Sequence, residues 1–225
     1  MGTDITMFAE VHKNKKWIKA GSVFKNPRYD KDRKMNSWNQ PYTDHPYNRQ
    51  NYDLFAILAN VRNGTGFGGC KTSYGFNTIS EPKGLPEDIS EEVKELLRND
   101  GYADSYYTLK ELKDYNWDQE VTRIGVISEA QYIEMKKTRE NPKSWCGDTR
   151  GWDVVVVSAD TMDKILNKTI SRNSRIKYYV QVDFFPITYR ERCADFLENT
   201  IPALEELVPA GGTEEDVRII FNFDC

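Results

Sequence analysis

The chain has 225 residues, with 31 lysines and arginines, 35 aspartates and glutamates, and a formal net charge of −4. Aromatic residues make up 12% of it, which argues against a wholly disordered chain, because disordered chains have few aromatic residues and a high net charge. The near balance of charge disfavours duplex nucleic acid as a partner, since duplex binding depends on a strongly basic surface.

The cysteines are widely spaced and form no C-x-x-C pair. This spacing fits neither a zinc site nor a disulfide framework, so we expect reduced thiols and a cytoplasmic location. We also expect no membrane span, no secretory signal and no cofactor. The four cysteines are Cys70, Cys146, Cys193 and Cys225.

The first half of the chain, residues 1–118, begins with a hairpin and continues into a long irregular stretch. Alternating apolar residues predict a strand over residues 3–11, and a partner strand follows over 16–24. Residues 25–50 show no periodicity. Their aromatic side chains favour an ordered, functional loop over a disordered one, and these are Tyr29, Trp38, Tyr42 and Tyr47.

Three helices are predicted in the rest of the first half. Apolar spacing indicates a helix over residues 52–61 with one apolar stripe, ended by Gly64 in a left-handed conformation. Asp88 and Glu91 form a helix start signal for residues 89–99. Thr108 and Glu111 repeat that signal before a short helix that ends near residue 115.

The second half, residues 119–225, has a more regular pattern. We predict strands over 121–127, 152–157, 175–185 and 217–223, of which the nearly all-apolar second is expected to be buried on both faces. Ser128 and Gln131 open a helix that reaches about residue 140, and Asp160 caps a helix through 167. A longer helix over 188–207 is interrupted at Pro202. The whole pattern predicts one α+β domain with a mixed or antiparallel sheet, peripheral helices and a loop-rich N-terminal half.

A glycine-rich loop covers residues 64–69. Its sequence resembles that of a dinucleotide-binding loop, but that motif follows a strand and opens a helix, whereas this loop follows a helix. Two interpretations stay open: a flexible connection, or a set of backbone amides that bind an anion.

Basic and aromatic side chains flank this loop. Guanidinium groups suit phosphates, and aromatic faces stack on bases. We therefore predict a ligand site for a small nucleotide-like molecule, formed by Tyr47, Arg49, Tyr52, Arg62, Gly66, Phe67, Gly68, Gly69 and Lys71.

Two enzymatic interpretations are kept beside this binding site. His12 and His45 are the two histidines of the chain, which disfavours a histidine-based triad, although His45 is a candidate general base. Asp4 and Glu10 on the first strand are candidate carboxylates of a metal-dependent hydrolase that cleaves a nucleotide-like ligand.

Two further segments invite an interpretation. Arg150 lies between Trp145 and Trp152, where it is able to stack and present its guanidinium to a ligand. The aromatic loop over residues 29–47 is alternatively an interface for a host protein, because tyrosine, tryptophan and arginine dominate binding hot spots. A homodimer is the default expectation for the assembly.

The opening Met-Gly-Thr-Asp-Ile-Thr resembles the opening Met-Gly-Cys-Asp-Ile-His of a family of phage and bacterial proteins. The runs over residues 52–64, 84–86 and 107–112 also fit that family, and the match covers roughly the first half. The resemblance implies a phage or prophage setting, with action in the host cytoplasm. In that setting it also implies a protein that antagonises host defence.

Two departures from the family pattern reduce the enzymatic expectation. Thr6 and Asp104 stand where the family has histidine. A metal-binding or acid–base role of those histidines is therefore lost or altered in this chain, and capture of a ligand is favoured over its cleavage.

Overall fold

The computed structural model describes residues 2–37, 39–97 and 100–224, so predictions for Met1, Trp38, Asn99 and Cys225 lie outside the described residues. The described part holds eleven strands and seven α-helices. The strands are β1 Asp4–Lys13, β2 Lys16–Lys19, β3 Phe24–Lys25, β4 Tyr42–Thr43, β5 Tyr102–Thr108, β6 Glu120–Val121, β7 Ile124–Ser128, β8 Val154–Ser158, β9 Lys177–Asp183, β10 Ile187–Thr188 and β11 Val217–Asp224. The helices are α1 Tyr52–Ala59, α2 Glu91–Leu96, α3 Leu109–Asp114, α4 Glu129–Thr138, α5 Ala159–Leu166, α6 Tyr189–Arg192 and α7 Ile201–Glu205.

The larger sheet is antiparallel, with the strand order β2-β1-β11-β5. The predicted apolar face of β1, which includes Met7 and Ala9, is buried against α1 and pairs with Phe221 and Ile219 of β11. The opposite face of the sheet is covered by α2, whose Val93 packs on the same sheet. The two central strands, β1 and β11, are therefore buried over most of their length on both faces. The helices and the antiparallel and mixed sheets confirm the α+β prediction.

Helix α1 lies at the centre of the main core. Its residues from Asp53 to Ala59 are all buried, so the predicted apolar stripe lies in the core and the other faces of the helix are covered as well. The helix ends at Asn60 rather than at Gly64. Asn60 adopts φ 58°, which asparagine tolerates, and its N–H donates to the carbonyl of Ala56.

A second, three-stranded sheet has the strand order β7-β9-β8, with β9 antiparallel to β7 and parallel to β8, and two further pairs, β3-β4 and β6-β10, are formed. Its apolar face packs under α4 and α5 through residues such as Ile127 and Val180. Strand β8 is at the edge, and Val155 is 40% exposed, so the prediction of burial on both faces is wrong. An all-apolar run has no feature that distinguishes a central strand from an edge strand.

Helix starts were predicted well where a capping box is present. The boxes of Thr108 with Glu111 and Ser128 with Gln131 are both formed. The other two start residues were wrong by two positions. Ser90 caps α2, whereas Asp88 accepts from Arg218, and Ser158 caps α5 in place of Asp160.

The predicted helix over 188–207 is three pieces. Helix α6 begins behind Thr188 as a short turn, a π-helical segment covers Phe196–Thr200, and α7 follows with Pro202 in its first turn. The predicted strand over 121–127 is broken between β6 and β7, and the partner strand over 16–24 ends at Lys19. Strand β5 was not predicted, because polar residues interrupt its apolar alternation.

None of the described helices is long and apolar enough to cross a membrane.

One of the cysteines, Cys193, lies in the main core. Cys193 is fully buried, and burial raises the pKa of its thiol to about 12. Because the thiolate is the reactive form, we expect iodoacetamide at about pH 8 to leave Cys193 unmodified in the native protein and to modify it in urea. Peptide mass spectrometry measures this, and rapid native modification of Cys193 would contradict the packing described above.

Candidate ligand-binding site

An open cleft of about 420 Å³ lies where the N-terminal end of α1 meets the start of β7 and the end of α6. Three arginines from distant parts of the chain line it, so we refer to it as the arginine cleft. Its lining residues are Tyr47, Arg49, Gln50, Asn51, Tyr52, Asp53, Arg123, Arg192 and Asp195.

A buried carboxylate organises the floor of the cleft. Asp53, in the first turn of α1, is 6% exposed. Its carboxylate accepts a 2.6 Å hydrogen bond from Nε of Arg192 and lies 3.4 Å from Nη2 of Arg123. Two guanidiniums are thus held beside each other by one negative charge.

The N-cap of α1 connects this floor to α6. The Asn51 side chain accepts hydrogen bonds from the N–H groups of Asp53 and Leu54, as an N-cap residue does. Its amide nitrogen donates to the carbonyl of Arg192 at 2.9 Å. The position of Arg192 is therefore coupled to the start of α1.

Arg123 is the most buried cation of the cleft, with 16% of its side chain exposed. Its guanidinium carbon lies 4.9 Å from the ring centre of Trp145. Burial, opposed by Asp53 and helped by the nearby Arg192, lowers the pKa of Arg123. Its Nε atom is buried and has no hydrogen-bond partner among the described residues, which is costly for a charged donor.

The rim of the cleft is formed by Tyr47 and Arg49. Arg49 is half exposed and pairs with Asp195, with 3.2 Å between Nε and Oδ2. Tyr47 is buried, and its ring contacts Phe196 edge-on at 5.6 Å. Burial, together with the Asp195 carboxylate, raises the pKa of Tyr47, so its hydroxyl stays protonated at neutral pH.

Tyr52 also lines the cleft and is in contact with Arg62 and Thr3. The guanidinium carbon of Arg62 lies 5.5 Å from the ring centre of Tyr52. Arg62 also donates from Nε to the hydroxyl of Thr3 at 2.9 Å, and the Tyr52 hydroxyl accepts from the N–H of Thr3. Arg62 thus contacts the site through Tyr52 and does not itself line the cleft.

The glycine-rich loop lies elsewhere. Gly66 donates its N–H to the carbonyl of Cys70, and Gly69 donates to Gly66, so these two amides are used inside the loop. Phe67 is 71% exposed, and the Lys71 ammonium lies over the ring of Tyr74. The structure therefore brings together Tyr47, Arg49 and Tyr52, but it places Gly66, Phe67, Gly68, Gly69 and Lys71 outside the cleft.

The other candidate catalytic groups are held in separate places. Asp4 and Glu10 stand six residues apart on β1, which separates them by ~20 Å. Glu10 is fully buried in an ion pair with Arg218, whereas Asp4 accepts from the Gln50 side chain. His45 has its Nδ1 near the carbonyl of Met7.

The segment around Trp145 also differs from its prediction. Arg150 is 89% exposed at its side chain and pairs with Asp148, while the cation that contacts Trp145 is Arg123. No group of three or more metal-ligating side chains occurs within the described ranges.

A larger cavity of about 540 Å³ lies between α4 and the ends of β8 and β9. Its cations are Lys136 and Arg139, and Lys136 is already paired with Asp163 at 2.7 Å. We favour the arginine cleft, because it brings three guanidiniums together and the side chains of Arg123 and Arg192 are more buried than that of Lys136.

No family model, curated protein or solved structure matches this chain.

Proposed function

We propose that the protein binds a phosphorylated, nucleotide-derived small molecule in the arginine cleft. One observation carries the proposal: three guanidiniums line the cleft against two carboxylates, and one of them, Arg123, has a buried Nε with no hydrogen-bond partner in the part of the chain that the structure describes. Arginine binds phosphate oxygens with paired hydrogen bonds, and an excess of buried positive charge favours an anion.

The roles within the cleft follow from burial. Arg49 and Arg192 are exposed enough at their side chains, 50% and 30%, to reach a ligand, whereas Arg123 supports them from the floor. Arg62 lies over the ring of Tyr52. We assign the base of the ligand to the same ring, on which it would stack.

The resemblance to phage and bacterial proteins adds a setting to this proposal. A phage protein that captures a nucleotide-derived immune signal of its host, without cleaving it, has an anti-defence function. The separation of Asp4 from Glu10 supports capture over hydrolysis by that pair.

The proposal is tested by calorimetric titration of the full chain with ADP, cyclic nucleotides and ADP-ribose, next to adenosine. We expect at least one phosphorylated ligand to bind and adenosine to bind at least about tenfold more weakly, because the phosphate supplies charge-assisted hydrogen bonds. Absence of binding by every phosphorylated ligand would refute it.

Chromatography of the titrated samples separates capture from catalysis. We expect the bound nucleotide to be recovered intact after prolonged incubation, also with a divalent metal added. Recovery of a cleavage product would instead establish the hydrolase alternative for this protein.

A further inference from the structure

The arginine cleft continues into two neighbouring cavities. A small one of about 180 Å³ shares Tyr47, Arg49 and Asp195 with the cleft. A third, of about 400 Å³, shares His45 and Asn48 with the small one. Because each cavity shares lining residues with the next, the three adjoin one another in a row, which we refer to as the groove. We refer to the third cavity as the polar pocket.

The chemistry changes along this groove. The polar pocket has one cation, Arg28, and one carboxylate, Asp44, so it lacks the positive excess of the arginine cleft. An aromatic ring at its wall, Tyr42, is 51% exposed. The serine, threonine, asparagine and glutamine side chains that line it are Thr6, Ser22, Asn26, Ser37, Gln40, Thr43 and Asn48.

Hydrogen bonds within the loop shape the walls of the pocket. Asn39 is buried, accepts from the N–H of Asp30 and donates to the carbonyls of Asp30 and Arg33. The side chain of Asn26 donates to the carbonyl of Gln40, and β3 pairs with β4. The irregular stretch over residues 25–50 is therefore held in place by internal hydrogen bonds where it lines the pocket.

We propose that the polar pocket binds a neutral, polyhydroxylated group, a sugar, at the far end of the ligand whose phosphate lies in the arginine cleft. Amide and hydroxyl side chains both donate and accept hydrogen bonds, as sugar hydroxyls do, and a neutral lining does not favour a second phosphate. The inference rests on the proposed function and specifies its ligand class: a nucleotide whose phosphate is joined to a second sugar.

The test compares ADP with ADP-ribose by calorimetry on the full chain. The two probes share the nucleoside diphosphate, and the second carries an additional ribose. We expect ADP-ribose to bind at least about tenfold more tightly, since two or three added neutral hydrogen bonds contribute that much. Ser22→Trp places a large ring at the exposed rim of the polar pocket and is expected to remove this difference while ADP binding is kept.

Ser171→Trp is the matched control, because Ser171 is also exposed and lies outside the groove; it should leave both affinities unchanged. Equal affinity of the native protein for ADP and ADP-ribose would overturn the sugar site and leave the phosphate site standing. Failure of ADP, ADP-ribose and the cyclic nucleotides to bind would refute the proposed function itself. A preference that survives Ser22→Trp would overturn the assignment to this pocket.

Discussion

Replacing Arg192 with glutamine is expected to weaken ADP binding by about tenfold to a hundredfold. Arg192 is held by Asp53 at 2.6 Å in the floor of the cleft while its side chain remains 30% exposed. Hydrogen bonds to charged groups contribute roughly 1.5–3 kcal/mol, and each 1.4 kcal/mol corresponds to about a factor of ten in affinity. Calorimetric titration at constant ionic strength measures the effect.

Two variants separate a loss of binding from a loss of folding. Arg190→Gln is the matched control, because Arg190 lies on the same short helix but pairs with Asp118 outside the cleft. It should bind ADP as the native protein does. Arg49→Gln removes a half-exposed rim cation and should weaken binding while leaving the unfolding transition in place. Native affinity in both cleft variants would contradict the site.

The sign of the cleft's charge gives an additional check. Asp195 forms an ion pair with Arg49 in the free protein, so a bound phosphate competes with the Asp195 carboxylate for the Arg49 guanidinium. Asp195→Asn is therefore expected to tighten ADP binding. A site for a cation would respond in the opposite direction, since it would lose a carboxylate.

Replacing Arg218 with leucine is expected to lower the free energy of unfolding by about 3–5 kcal/mol, the usual cost of leaving one member of a buried ion pair without its partner. The side chains of Arg218 and Glu10 are 4% and 0% exposed, and 2.7 Å separates Nη2 from Oε2. The guanidinium also lies 3.9 Å from the ring centre of Trp17 and donates to Asp88. Urea unfolding followed by tryptophan fluorescence measures the change.

The double variant Glu10→Leu with Arg218→Leu distinguishes an unpaired charge from lost packing. It should be less destabilised than Arg218→Leu alone, because hydrophobic replacement of both partners removes the buried charge. Arg172→Leu, at an exposed pair with Glu129, is the control and should change the unfolding transition little. A native-like transition in Arg218→Leu would contradict the structural role assigned to Glu10.

Sequence reasoning found one part of the cleft and missed the other for a physical reason. Tyr47, Arg49 and Tyr52 are close in sequence, so a local concentration of cationic and aromatic side chains predicted them. Arg123 and Arg192 reach the cleft from the second half of the chain. Nothing in their local sequence marks them, because their convergence on Asp53 depends on how β7 and α6 pack against α1.

The same distinction applies to the fold. Capping boxes are local hydrogen-bond patterns, so Thr108 and Ser128 were identified correctly as helix starts. The place of a strand in a sheet depends on distant partners. Strand β11, from the end of the chain, pairs between β1 and β5 of the first half, and β8 lies at an exposed edge. Neither position has a periodicity that would reveal it.

A crystal structure of the full chain with bound ADP tests the central claim most directly. We expect phosphate oxygens within hydrogen-bond distance of Arg49 and Arg192 in the arginine cleft. Phosphate bound at the Gly66–Gly69 loop or in the cavity beside α4, with the arginine cleft empty, would contradict it.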